Sequence, residues 1–163
     1  MQDPQTSEQE KLEALCAMSF DFARENDTKS LSTLLDYGLN VNLSNHQGNT
    51  LLMLASYNNN FEATELLLQR GAEVDKKNDK NQTPLAGVCF KGHFAIAKLL
   101  LEYGANPHED NGMGFTPINC AILFRRKEIL DLLLRYSDRK LTWLQRLARF
   151  FLRVKSNQNF SKR

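Results

Sequence analysis

The chain has 163 residues, of which 42% are hydrophobic and 25% charged, the ordinary composition of one folded domain rather than of a disordered chain. No run of about 18 apolar residues is present to span a bilayer, and the first ten residues, MQDPQTSEQE, are polar where a secretory leader would be apolar, so the expected location is cytoplasmic. The net charge of +2 is unevenly divided: residues 139 to 163 hold eight Lys or Arg and no Asp or Glu, which leaves the rest of the chain at −6.

In chain order, a polar segment at 1–10 precedes a weakly marked unit over about 11–44. In that unit Phe22, Leu34-Leu35, Gly38 and Val41-Asn42 stand 33 residues before Ala55, Leu67-Leu68, Gly71 and Val74-Asp75. Three full units follow at 45–77, 78–110 and 111–140, beginning at Asn45, Asn78 and Asn111. Thr50, Thr83 and Thr116 recur at the same interval, as do Gly38, Gly71 and Gly104. A period of this length denotes a repeat solenoid, in which each unit is one supersecondary element.

Within each unit a leucine triplet (Leu66 to Leu68, Leu99 to Leu101, Leu132 to Leu134) follows an apolar residue at Ala63, Ile96 or Ile129. This is the spacing of a short helix with one buried stripe. Gly71 and Gly104 stand where such a helix ends in a left-handed residue. At Thr83-Pro84 and Thr116-Pro117 threonine can cap a second helix whose first turn tolerates proline. A helix pair this short has one apolar side, so neighbouring units must stack to bury it.

After the last unit, LTWLQRLARFFLRVK (141–155) places Trp143, Leu147, Phe150, Phe151 and Val154 on one helical face and Arg146, Arg149 and Arg153 on the other. Thr142 and Gln145 match a capping box. This segment is expected to cap the exposed leucine face of the last unit. Its arginines offer a second use, at an anionic membrane surface or an acidic partner. The acidic body argues against nucleic acid as a ligand, and the polar residues 156–163 are expected to fray.

The threonine turn at Thr50, Thr83-Pro84-Leu85 and Thr116-Pro117, the paired helices and the Gly-Ala loop resemble the ankyrin-repeat family, in particular small stand-alone bacterial members, over about residues 15 to 140. The resemblance implies an all-α repeat solenoid of helix-turn-helix units with β-turn tips. It also implies a non-catalytic module that binds another protein on its concave side, as scaffold, chaperone or inhibitor, including an immunity-type protein that neutralises a toxin. Carried onto this chain, the contact positions at the tips are His46, Gln47 and Asn49, then Asp79, Lys80 and Gln82, then Met113 and Phe115. Those on the first helices are Tyr57 and Asn58, Phe90 and Lys91, and Leu123 and Phe124. The set grows more apolar toward the C-terminus, and Tyr57, Phe90, Phe115 and Phe124 are the expected anchors; the competing expectation packs Phe90, Leu123 and Phe124 away between helices.

Two departures stand out. Met53, Ala86 and Asn119 occupy the place where the family carries a histidine, so its bond to the threonine is expected to be missing. The third unit has Arg125-Arg126 for Gly92-His93, and Ser137-Asp138 for Gly-Ala, which marks it as terminal.

Catalytic patterns are absent. His46, His93 and His108 show no metal-binding spacing and no Ser-His-Asp order, and Gly112-Met113-Gly114 is accounted for by the repeat turn. No cofactor is expected. Cys16, Cys89 and Cys120 lack the spacing of a zinc site and are expected as reduced core thiols.

Overall fold

The computed structural model describes residues 4–137; the basic segment carrying Arg146, Arg149 and Arg153 lies outside them. Within this range there are eight helices: α1 (Pro4–Glu25), α2 (Thr28–Asp36), α3 (Leu51–Tyr57), α4 (Phe61–Gln69), α5 (Pro84–Lys91), α6 (Phe94–Glu102), α7 (Pro117–Leu123) and α8 (Lys127–Arg135). They form four antiparallel pairs, stacked as the repeat requires. The first helices make one row, with α3 against α1 and α5, and α5 against α7. The second helices make the other, with α4 between α2 and α6, and α6 against α8. The chain is an all-α repeat solenoid, with a single isolated antiparallel bridge, Ser44 to Thr50, among the described residues.

The core lies between the two rows. Leu52, Leu85 and Ile118 repeat on the first helices, and Leu67, Leu100 and Leu133 on the second, all of them buried. Each full unit starts its first helix as the sequence predicts: the hydroxyl oxygens of Thr50, Thr83 and Thr116 accept the N–H of Met53, Ala86 and Asn119 at 3.1, 3.3 and 3.2 Å. The second helices α2, α4 and α6 each end in a glycine at positive φ, Gly38, Gly71 and Gly104, while α8 runs into Tyr136 and Ser137. At Gly71 (φ +85°) its N–H donates to Leu68 O while that of Ala72 reaches back to Leu67 O, a Schellman closure.

Three features go beyond the sequence reading. α1 begins at Pro4 and is 22 residues long, so the helix opens inside the polar segment 1–10. Cys16 is half-buried, whereas Cys89 and Cys120 are buried; the expectation of a core thiol fails for Cys16, which sits on the part of α1 where Leu12, Leu15 and Met18 are also exposed. Arg125 and Arg126, expected as marks of a terminal unit, keep the interior geometry: Arg125 takes the left-handed conformation (φ +57°) of Gly92 and of Asn59 in the units before it.

Arg126 also continues a ladder between units. The amide nitrogen of Asn60 donates to the carbonyl of Arg24 at 2.7 Å, His93 Nε2 to that of Tyr57 at 3.1 Å, and the Arg126 guanidinium to that of Phe90 at 2.9 Å. A carbonyl can only accept, so the bond fixes His93 with its proton on Nε2. Three different donors thus satisfy the carbonyl at the same point of the preceding unit.

A second ladder joins the loops at the opposite end. Asn42 Oδ1 accepts the N–H of Glu73, and Asp75 Oδ2 accepts that of Asn106 at 2.9 Å. Asp75 Oδ1 is buried with no partner. Burial, reinforced by the nearby Glu109 carboxylate, pushes the Asp75 pKa up, against the opposing pull of the Asn106 N–H and of Lys77. A raised folded pKa means that protonation favours the native state; this stabilisation is present below the unfolded pKa and is lost as pH rises through the folded one. Asp75→Asn, which copies Asn42, is expected to match or exceed the native chain in urea midpoint at pH 7, while the native chain gains on it as pH falls through the carboxylate range. Thr83→Ala removes the cap of α5 and is expected to cost about 1 kcal/mol, read as a lower urea midpoint at unchanged slope.

Candidate functional site

The tips are built by side-chain turns. Asn45 Oδ1 accepts the N–H of Gln47 and Asn49, and Asn78 Oδ1 that of Lys80 and Gln82. In the third unit this task moves back one residue: Asp110 Oδ1 accepts from Gly112 and Gly114. Asn111 is thereby released to bind the previous unit, its Oδ1 accepting the Thr83 N–H at 2.7 Å and its amide donating to Glu109 O. The shift leaves three successive residues at positive φ, Gly112 (+97°), Met113 (+53°) and Gly114 (+74°), with Met113 fully exposed. Where the family would have a histidine, Asn119 Nδ2 bonds Gly114 O at 2.9 Å and so ties α7 to this tip.

Between the tips and the row of first helices runs a groove of about 640 Å³. The structure brings eight of the fourteen predicted contact residues into its lining: Gln47, Asn49, Tyr57, Lys80, Gln82, Phe90, Phe115 and Phe124. His46, Asn58, Asp79 and Lys91 lie beside it rather than in it, as do Met113 and Leu123, which project outward from the third unit. Sequence reasoning missed the floor, made by Met53, Leu54, Ala86, Gly87 and Cys120, and the inter-unit amides of Asn78 and Asn111. The period could have revealed the floor, since Leu54, Gly87 and Cys120 share one position of the repeat.

Phe90 and Phe124 are partly packed and partly exposed. Phe90 and Phe124 pack edge to face, centroids 4.6 Å apart and planes at 89°, yet each keeps about two fifths of its surface exposed (41% and 38%). They support one another and still face the groove. Tyr57 (42% exposed) lies under the ammonium of Lys91, 4.9 Å from the ring centroid, a distance at which the cation is held by the ring face.

Among the described residues lining the groove, Lys80 is the charged one. Burial pushes the Cys120 thiol up to about 11, partly offset by Arg126, and pushes Cys89 well up too, so neither supplies a thiolate at neutral pH. Among the described residues no three of His, Cys, Asp or Glu gather as a metal site, and no helix is long and apolar enough to cross a membrane. His93 is occupied by the ladder, while His108 bonds Ser137 Oγ.

A family model described as ankyrin repeats (3 copies) matches residues 70–142, and one described as ankyrin repeats (many copies) matches residues 19–68. A Pseudomonas aeruginosa protein whose name describes it as an ankyrin repeat protein is 47% identical over 47 residues, which make up 29% of this chain and 28% of that relative. Ankyrin repeats are in general protein-interaction modules without catalytic function. The stacked helix pairs, the threonine caps, the glycine closures and these matches together show that the chain belongs to the ankyrin-repeat family.

Proposed function

We propose that this chain is a non-catalytic module that binds one partner protein through the groove between its tips and first helices, as scaffold, chaperone or inhibitor. The observation that carries this reading is the line of half-exposed aromatic rings, Tyr57, Phe90, Phe115 and Phe124, along one continuous groove. Exposed aromatic residues on a rigid support offer large contact area at small entropic cost. Polar groups at the rim, Gln47, Asn49 and Gln82, add directional bonds. Free buried thiols at Cys89 and Cys120 support a reducing, cytoplasmic setting.

The test is co-purification of the tagged full-length chain from its native cells, beside a Tyr57→Ala, Phe115→Ala bait and a Phe61→Ala, Tyr103→Ala control on the second helices. One stoichiometric partner is expected, weakened tenfold or more (about 1.4 kcal/mol or above) by the groove pair and retained by the control, with circular dichroism unchanged for both. Equal recovery by all three baits would contradict the reading.

A further inference from the structure

One side of α7 is less covered than the same side of the first helices before it. Thr50 and Thr83 are buried while Thr116 is half-buried; Met53 and Ala86 give way in the same manner to Asn119, and Ser56 and Cys89 to Ile122. Residues 116, 119 and 122 lie three apart and so share a helical face. In the preceding units the next first helix packs here, α5 on α3 and α7 on α5. A unit that ends a stack needs a polar outer face, yet the position that holds Ser56 and Cys89 becomes isoleucine where its cover is thinnest. The ladder is open at the same place. Leu123 follows Tyr57 and Phe90 in the period, and its carbonyl has no ladder donor among the described residues.

The period runs on past Ser137. Phe151 falls one period after Ile118, on the core line of Leu52 and Leu85, and Val154 one period after Ala121, on that of Ala55 and Val88. Asn159 falls one period after Arg126, on the ladder line of Asn60 and His93. FFLRVKSNQNF (150–160) is thus in register with LLMLASYNNNF (51–61), which forms a first helix, the turn after it and the start of the second. The connection has the right length as well: the interval from Arg135 to Phe150 equals those from Gln69 to Pro84 and from Glu102 to Pro117, which carry the chain from the end of one unit to the first helix of the next. Helical periodicity over 141–155 requires only that one face be apolar. The repeat period assigns that face residue by residue and gives 157–159 the place of a turn.

We propose that residues 150–160 open a fifth unit and are the occupant of the outward side of α7. Phe151 and Val154 extend the two core lines over Ile118 and Ala121, and the Asn159 side-chain amide donates to the Leu123 carbonyl as that of Asn60 does to Arg24. The chain's own connection from α8 delivers the segment, as the two earlier connections deliver α5 and α7.

Crosslinking tests the placement. A Cβ at Gly87 lies 3.3 Å from Tyr57 Cδ2, and Leu123 and Arg153 are the same pair two periods on. In the full-length chain carrying Cys16→Ser, the pair Leu123→Cys, Arg153→Cys is expected to be joined within one chain by a short bis-maleimide, as a Tyr57→Cys, Gly87→Cys control is. No link beside a linked control, or a link between two chains, which would make a second copy the occupant, overturns the proposal. Thermal unfolding tests the register. Phe151→Ala is expected to lower Tm by about 10 °C and Asn159→Ala by about 3 °C, with Asn157→Ala unchanged. An unchanged Tm for Asn159→Ala, the result that fraying of 156–163 would give, or equal losses for Asn159→Ala and Asn157→Ala, overturns it.

Discussion

No unit of this chain can bury its own leucines. A nine-residue second helix such as α4 or α6 has one apolar stripe, and a two-helix hairpin covers only part of it. Leu67, Leu100 and Leu133 reach zero exposure because units stack in strict register. Everything else in the molecule follows from holding that register. The 60, 93 and 126 positions bond the carbonyl of the preceding unit at one end, and the loop residues Asn42 and Asp75 bond the following unit at the other. Backbone groups at both ends of a unit are thus satisfied by side chains of its neighbours, which ties each unit to the adjacent ones at two points.

A fixed register also means that one position of the repeat makes one continuous line across the molecule. The groove is such a line, and its character is set by substitution along it. Tyr57, Phe90 and Leu123 occupy one repeat position, and Asn49, Gln82 and Phe115 another; in each the polar or hydroxylated residue gives way to an apolar one toward the C-terminus. Binding character can therefore change from unit to unit without disturbing the buried line beside it, since Leu52, Leu85 and Ile118 stay apolar throughout. The rigid row supplies preorganisation, and an interface that needs little rearrangement loses less on binding.

Much of this was legible in the chain because the repeat states each rule three times. The threonine caps, the left-handed glycines and the buried leucines each rest on short-range physics at fixed spacing, and all appear where the period puts them. What escaped depends on contacts between units. The move of the tip turn from Asn111 to Asp110 follows from the bond Asn111 makes to Thr83, which no single unit reveals. Arg126 looked like a terminal departure because its residue type differs from His93, although each donates to the equivalent carbonyl of the unit before it, Phe90 and Tyr57 respectively. Cys16 looked like a core residue because its neighbours are apolar, but it is only half-buried, on a stretch of α1 where Leu12, Leu15 and Met18 are exposed. The aromatic residues of the groove were named from their repeat positions, while its floor at Gly87 went unnoticed because a glycine there is conspicuous only against Leu54 and Cys120.

The most direct test of the central claim is side-chain oxidation footprinting of the full-length chain with and without its co-purified partner. Binding through the groove predicts protection of Tyr57, Phe90, Phe115 and Phe124, with Tyr37, Phe61, Phe94 and Tyr103 unchanged although all of these are exposed. Protection of the second set with the first unchanged would place the partner on the second helices and contradict the account.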